Sequence, residues 1–530
     1  MTFKVPGKTR NMVSGFALCA AMMAPAAVNA AEVTLKSADG TVNLVGEFIE
    51  FTDNNYVIRT GLGDLRISAS RVRCEGDACP DFSAVEADVI IAGSDTVGLG
   101  VMPLLMSGYA AFLEAEATVT STGTEGEIIA ELVGDEGFGD PLGSYLVNST
   151  GSSDAFRKLL DQSAQIGMAS RRIRPDEARA LRDDGAGNMI SPANEHIIAV
   201  DSLVVITHPD NPVDTLSTDQ LRGIYAGEIT NWSEVGGNDG PILLIGRSEG
   251  SGTRGVFEDR LFGDDVPSTP GNKSIATDNN DMAAQVNADP NAIGYVGYAF
   301  QRGAKAMTLI NECGLTMEPT PFSARTEEYA LQRFLYLYNR EDTTDQATAD
   351  FLDYVISEEA DEVIAKAGFI DLGIDRQAQP LDGQRAAQLL DPNVDDYEGG
   401  IMRGMLSEMV NYDRLTSTFR FRTGSSKLDP RGLLNLERLA DYLEDEPEGT
   451  KVLFVGFTDS VGAFDSNREL SIGRANQVLE AMQDFAGDRL TGIEMAATGY
   501  GEIAPSACNT SETGQRINRR VEVWIQSANG

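Results

Sequence analysis

The chain has 530 residues and carries 42 Lys and Arg against 81 Asp and Glu, a formal net charge of −39. That length calls for two or more domains. So acidic a balance excludes nucleic acid and anionic membrane surfaces as partners, and any small anion must be held by local dipoles and hydrogen bonds rather than by long-range attraction.

Residues 1–30 begin with the basic KVPGKTR, continue through the apolar MVSGFALCAAMMAPAA and end on VNA before Ala31. A basic start, a short apolar middle and small residues at a cleavage point describe a secretory signal peptide. Phe16-Ala17-Leu18 before Cys19 is a poor lipoprotein signature, so release by signal peptidase is expected. No later run offers ~20 uninterrupted apolar residues for a membrane helix, and the mature chain is expected to be exported and soluble. Cys74 and Cys79 flank a tight EGDA turn and are candidates for a small disulfide loop in an oxidising compartment. The pairing of Cys313 and Cys508 stays open. The two histidines, His196 and His208, stand in no ligand spacing, so no metal site, no cofactor and no His-based triad are expected.

Residues 31–83 alternate in period two, as in VTLKSADGTVNLVGEFIEFTDNNYVIRT, with DG and DNN supplying hairpin turns. This predicts a small all-β module. From residue 84 to 375, strand-like and helical stretches alternate, which predicts an α/β architecture with largely parallel sheets and ligand loops at the carboxyl ends of strands. Four such loops are rich in Gly, Ser and Thr: AGSDT, NSTGSSDAF, IGMASRR and GRSEGSGT. Residues 376–412, with QAQPLDGQ and DPNVDDYEGG, read as a linker with some helix. Residues 413–527 then give β-α-β-α-β-β, one further domain.

The densest chemistry lies in IGRSEGSGTRGVF, 245–257. A hydrophobic strand ends there and a helix begins, so free backbone N–H groups and the hydroxyls of Ser251 and Thr253 point at one spot beside the Arg247 guanidinium. Helix starts and arginine forks hold oxyanions. Glu249, an acceptor, suits a ligand that still carries a proton, as hydrogen phosphate does.

The preceding AVDSLVVITHPDNPVDTLSTDQLRGIYAGEITNWSEVGG, together with GRSEGSGTRGVFEDRLF, AIGYVGYAF and AKAGFIDL, resembles the PstS-type periplasmic phosphate-binding proteins, class II solute receptors, over about 85–375. The resemblance implies a two-lobed type II periplasmic binding protein fold. It implies that Arg247 pairs with phosphate or a similar tetrahedral oxyanion, that Ser251, Gly252 and Thr253 donate to it, and that Glu249 accepts its proton. GSSDAF implies Ser152 at the start of the next helix. AGSDT implies Ser94 and a neighbour, with the register between Asp95 and Thr96 open and Thr96 taken as the candidate. Where phosphate receptors often carry Asp after Gly-x-Ser, GMASRR places Arg171, a cation that favours a more fully ionised anion. An ABC permease is a further partner that the resemblance leaves open.

GFTDSVGAFDSNRELSIGRANQV and the closing NRRVEVWI closely resemble the OmpA-like peptidoglycan-binding domain across 413–527. Asp459 just past a strand and Arg474 on the following helix can line one pocket mouth. Such a pair suits the zwitterionic end of meso-diaminopimelate in a peptidoglycan stem. The resemblance adds Asn467, Leu470 and Phe421 to that pocket, while Arg422 departs from the Asp or Asn frequent in relatives.

The expectation for the whole is a multi-domain α/β protein of the periplasm, held to peptidoglycan near the outer membrane, that binds phosphate. The alternative is an envelope protein in which the receptor fold is a spacer and only peptidoglycan binding is active. Ser251 has no His or Lys in its loop to activate it, so catalysis is not expected.

Overall fold

The computed structural model describes residues 32–37, 43–52, 55–61, 63–68, 72–76, 79, 87–263, 266, 274–421, 428 and 430–527. Residues 1–30, read above as a signal peptide, and the DG at Asp39-Gly40 lie outside them, as do Asp53, Asn54 and Arg422. Two compact units are present, divided at Asp81 and Phe82. Among the described residues no helix is long and apolar enough to cross a membrane.

The first unit is a five-stranded antiparallel sheet in the order Gly63–Ser68, Asn55–Thr60, Asn43–Thr52, Glu32–Lys36, Arg73–Glu75. Period-two alternation puts Val33, Leu35, Tyr56 and Ile58 on one buried face. A disulfide joins Cys74 to Cys79, with Cα atoms 5.8 Å apart, against that core.

In the second unit an 11-stranded sheet runs through two lobes. The strand Glu195–Thr207 spans both. Its first half pairs with Gln332–Asn339 in the first lobe, and its second half pairs with Ala292–Gly297 in the second. In the first lobe Ile166–Ala169, Val89–Gly93 and Pro141–Ser149 are parallel neighbours. In the second, Leu243–Arg247 is parallel to both Ser274–Ala276 and Ala292–Gly297. The sheet as a whole is mixed rather than largely parallel. Ala115–Ser121, Glu127–Val133 and Pro141–Ser149 form an antiparallel meander, and the lobe-crossing strands run against their neighbours. Tight loops suffice for antiparallel neighbours, whereas each parallel pair needs a helical crossover. The four Gly/Ser/Thr loops all leave the parallel strands at their carboxyl ends.

The C-terminal sheet has the order Arg376–Gln377, Asp413–Arg420, Arg520–Gln526, Lys451–Gly456, Glu494–Gly499. Helices Pro430–Glu444 and Phe464–Ala486 cover one face with Leu436, Leu439, Val478 and Met482. A short helix, Glu512–Asn518, precedes the last strand. Residues 376–412 differ from the linker reading. They add an edge strand and two helices, Gln384–Leu389 and Asp396–Met409, which cover the second sheet face. Leu389, Met402, Met405 and Met409 bury against Leu453, Val455, Phe457 and Trp524. A sheet with an apolar second face must be covered, and the methionines at helical spacing do it from a segment whose surface is polar.

The two lobes and the C-terminal sheet are joined by ion pairs among buried and partly buried side chains. Glu328 takes Arg414 through both oxygens at 3.0 Å. Glu522 takes Arg385 at 2.7 and 2.8 Å and Arg520 at 2.8 Å. Glu327 faces Arg420 at 3.5 Å and Arg431 and Arg516 at 3.3 Å. Arg438 pairs with Asp361 on the first lobe, and a Cys313–Cys508 disulfide ties in the second. Burial alone would raise the Glu328 carboxyl, but Arg414, Arg520 and Arg385 hold it at about 2. Burial likewise opposes Glu522, and Arg385, Arg414 and Arg520 drive it well below the ordinary range.

Depressed folded-state values mean that this contribution is complete above the unfolded value of 4.5 and fades as pH falls toward about 2. Stability measured by tryptophan fluorescence in denaturant is therefore expected to drop steeply below pH 4.5. Glu522→Gln, which leaves the buried Arg414 and Arg520 and the partly buried Arg385 short of a carboxylate, is expected to cost about 3–5 kcal/mol at neutral pH and to flatten that drop. An unchanged acid slope in the variant would refute the assignment.

Candidate functional site

Three loops of the first lobe lie side by side because their strands do. Val89–Gly93 leads to Ser94, Asp95 and Thr96, Pro141–Ser149 to Ser152, and Ile166–Ala169 to Ser170 and Arg171. Across from them Leu243–Arg247 leads to Ser251 and to the helix Gly252–Phe262. Ser94, Thr96, Ser152, Ser170 and Thr253 are fully buried. The helix starts at Ser152 and Gly252 face each other closely. A Cβ on Gly252 would fall onto Ser152 Oγ and Ser170 Oγ, so only glycine lets the lobes meet there. Each start leaves backbone N–H groups without intrahelical partners and a positive dipole end.

Arg247, 1% exposed, crosses between the lobes. Its Nη2 donates to Asp95 Oδ2 at 2.9 Å and to Thr277 O at 3.2 Å. Its Nε and Nη1, and the Ser94 hydroxyl, are buried and have no hydrogen-bond partner among the described residues. Buried N–H groups of a charged fork are costly to leave unmet, so this arrangement asks for an acceptor-rich, anionic group. Thr96 Oγ1 lies 3.3 Å from Thr253 Oγ1, a second contact between lobes.

Ser94, Thr96, Ser152, Arg247, Ser251, Gly252 and Thr253 are thus brought together. Two sequence candidates are placed otherwise. Glu249 is exposed in its loop, because the tight turn into the helix points positions 251–253 inward and 249 outward. The carboxylate on Arg247 is Asp95, 5% exposed. Arg171 is buried, but its fork is taken by Glu177 at 2.6 and 2.8 Å. It also donates to Ser153 at 3.2 Å and lies 5.1 Å from the Phe156 ring. A salt-bridging role accounts for it.

Sequence reasoning missed Arg333, Asn279 and Ser170. Arg333 Nη1 donates to Thr253 Oγ1 at 2.8 Å, and its Nε and Nη2 hold Asp201 at 2.9 and 2.7 Å. Asn279 donates to Asp95 at 3.2 Å and to Thr96 at 3.0 Å. The available signal was an arginine inside the apolar run QRFLYLYN and an aspartate inside AVDSLVVIT, since charges within buried strands are rare unless paired.

In the C-terminal domain Asp459 accepts from Arg519 Nη1 at 2.6 Å and from Val461 N at 3.1 Å. Arg474 is buried, with its guanidinium 5.6 Å from the Phe421 ring, and its Nε and Nη1 have no partner among the described residues. Burial lowers its pKa, the Arg519 charge adds to that, and Asp459 works against it. Asn467 Nδ2 donates to the Asp459 carbonyl at 3.3 Å and to Glu502. Leu470 is exposed beside it. Arg519, the residue not singled out from NRRVE, makes this two cations around one carboxylate.

The PBP superfamily domain model matches residues 91–359, and the OmpA family model matches residues 420–519. The phosphate-binding protein PstS of Bacillus subtilis is 27% identical over 244 residues, which is 45% of this chain and 76% of the relative. PstS of Pseudomonas aeruginosa is 28% identical over 249 residues, 43% of this chain and 73% of the relative. The crystal structure of an ABC-type phosphate transport receptor from Vibrio cholerae is 26% identical and covers 53% of this chain and 99% of that one, with a TM-score of 0.39. The chain belongs to the PBP superfamily and carries an OmpA family domain at its C-terminal end.

Proposed function

We propose that this protein is a receptor for phosphate, or a similar tetrahedral oxyanion, held non-covalently to peptidoglycan in the periplasm. The observation that carries the reading is Arg247, buried between two helix starts with two N–H groups unmet. The Arg247–Asp95 and Arg333–Asp201 pairs balance each other in charge. An anion would therefore be held by oriented donors rather than by net charge, as so acidic a chain requires. Arg247 Nε and Nη1, the Ser94, Ser152 and Thr253 hydroxyls and the N–H groups of Gly252 and Thr253 supply those donors. Asp95 fixes the Arg247 fork and favours a ligand that retains a proton, since two bare acceptors repel. Arg333 and Asn279 position Thr253, Thr96 and Asp95.

The named relatives are phosphate-binding proteins and receptors, and the OmpA family domain supports attachment to the wall. Asp459 with Arg519 and the unmet fork of Arg474 would meet the ammonium and carboxylate of a diaminopimelate end. Whole-chain localisation near the outer membrane after removal of residues 1–30, and delivery to an ABC permease, complete the reading.

Calorimetry of the full chain with phosphate, sulfate and arsenate tests the receptor role. Phosphate is expected to bind. Arg247→Ala removes charge-assisted hydrogen bonds of about 1.5–3 kcal/mol each, so affinity should fall at least ~100-fold. No heat and no thermal shift with any of the three would leave the receptor fold a spacer. Asp95→Asn, able to donate, should improve sulfate relative to phosphate. An unchanged ratio would show that Asp95 serves Arg247 alone.

The wall contact is tested by sedimentation of the full chain with diaminopimelate-type peptidoglycan. Asp459→Ala and Arg474→Ala should each cost roughly 2–5 kcal/mol of binding and abolish pull-down while circular dichroism stays unchanged. Retained pull-down in either variant would reduce the pair to a structural role.

A further inference from the structure

A cleft of about 950 Å³ lies between the second receptor lobe and the C-terminal domain. Arg260 and Phe262 line it from the receptor, and Phe421, Arg516 and Arg519 line it from the C-terminal domain. Phe421 and Arg519 are the residues that touch Arg474 and Asp459. The cleft therefore shares two wall residues with the pocket assigned to the diaminopimelate end. Its walls are fixed in place, because the Cys313–Cys508 disulfide and the Glu327 pairs with Arg420 and Arg516 bridge the two domains beside it.

The cleft's guanidinium groups are nearly matched by carboxylates, Asp259, Glu312, Glu327 and Glu512 among its lining residues. Arg420 and Arg516 share Glu327, and Arg519 is engaged by Asp459. Arg260 forms no ion pair among the described residues, and its buried Nε has no hydrogen-bond partner there. Burial and the neighbouring Arg516 lower its pKa, while Asp259 and Glu327 work against that without pairing with it, so the Arg260 guanidinium is open to a ligand carboxylate. Arg260 belongs to the last turn of the helix Gly252–Phe262. It sits on the second lobe, yet it lines a cleft whose other wall includes Phe421 and Arg519 of the C-terminal domain.

We propose that the receptor's second lobe is part of the wall-binding site. The diaminopimelate end of a stem peptide enters the Asp459–Arg474 pocket, the peptide continues into the cleft, and a second carboxylate of the peptide meets Arg260. This rests on the wall-binding reading above. It adds that recognition extends beyond one amino acid and needs both domains. A carboxylate-bearing peptide fits because the cleft offers guanidinium groups alongside apolar Phe262 and Phe421, which a backbone with alternating small side chains can cover.

The test uses the full chain and three probes: free meso-diaminopimelate, a stem tripeptide ending in diaminopimelate with its neighbouring carboxylate free, and the same tripeptide with that carboxylate amidated. The wild type should bind the free tripeptide about 10-fold more tightly than diaminopimelate, the scale of one charge-assisted contact at a partly exposed site. Arg260→Gln should remove that gain and leave diaminopimelate binding and phosphate binding as they were. Arg260→Lys should keep part of it. The amidated tripeptide should bind wild type and Arg260→Gln alike. Equal binding of the free tripeptide by wild type and Arg260→Gln overturns the composite site while the wall-binding reading stands. Failure of the wild type to bind any of the three probes overturns both.

Discussion

The pair of Arg333 with Asp201 is the constraint on which the two-lobed unit depends. The two residues are register partners on the strands where one lobe passes into the other. Both are fully buried, at 1% and 0% exposure. Asp201 also accepts from Tyr298 N at 2.9 Å, which fixes the second lobe's sheet end. Arg333 spends its remaining donors on Thr253 in the second lobe and, at a longer 3.5 Å, on Thr96 in the first. A buried charge pair is weak evidence for net stability, because desolvation offsets much of the attraction. Here its value is positional. It sets the orientation of two threonines that belong to different lobes and must converge on one point.

Around that pair, cross-lobe contacts at the cluster run mainly through polar side chains: Arg247 to Asp95, Asn279 to Asp95 and Thr96, Thr96 to Thr253. Contacts of this kind have short reach and strict direction, so they exist in one relative placement of the lobes and vanish in others. A ligand able to satisfy the unmet groups of Arg247 and Ser94 would add to the same placement. Binding and lobe position are thereby linked through the differential contacts each state offers.

The C-terminal domain is bolted to both lobes rather than hung on a chain. Asp361 holds it from the first lobe and Cys313 from the second, with the Glu327 and Glu328 carboxylates between. Glu327 and Glu328 lie on the segment that leads directly into the strand carrying Arg333. The segment 376–412 contributes to the same joint, because Arg385 reaches both Glu522 and Glu328. This geometry makes the two lobes and the OmpA family domain one mechanical body, and it puts Arg260 and Arg519 on the walls of one cleft.

Much of this was legible in the sequence. Period-two alternation determined the N-terminal sheet, and helix-start chemistry in GRSEGSGT determined that Arg247, Ser251 and Thr253 share a spot, because those relations are local. The motif that holds Asp459 and Arg474 was legible as a sequence pattern, whereas their contacts, Arg519 and Phe421, come from distant segments. What only the tertiary structure decided were relations between distant segments. Glu249, expected to accept the ligand's proton, is exposed, and the carboxylate at the cluster is Asp95 on Arg247, since a turn's inward and outward positions depend on the lobe opposite. Arg171 is taken by Glu177, Arg333 belongs to the cluster, Cys313 meets Cys508, and residues 376–412 cover a sheet face rather than span a gap. Each of these follows from which surfaces the fold brings together and desolvates. A partner's identity, once water is excluded, is set by geometry that no local pattern of residue types contains.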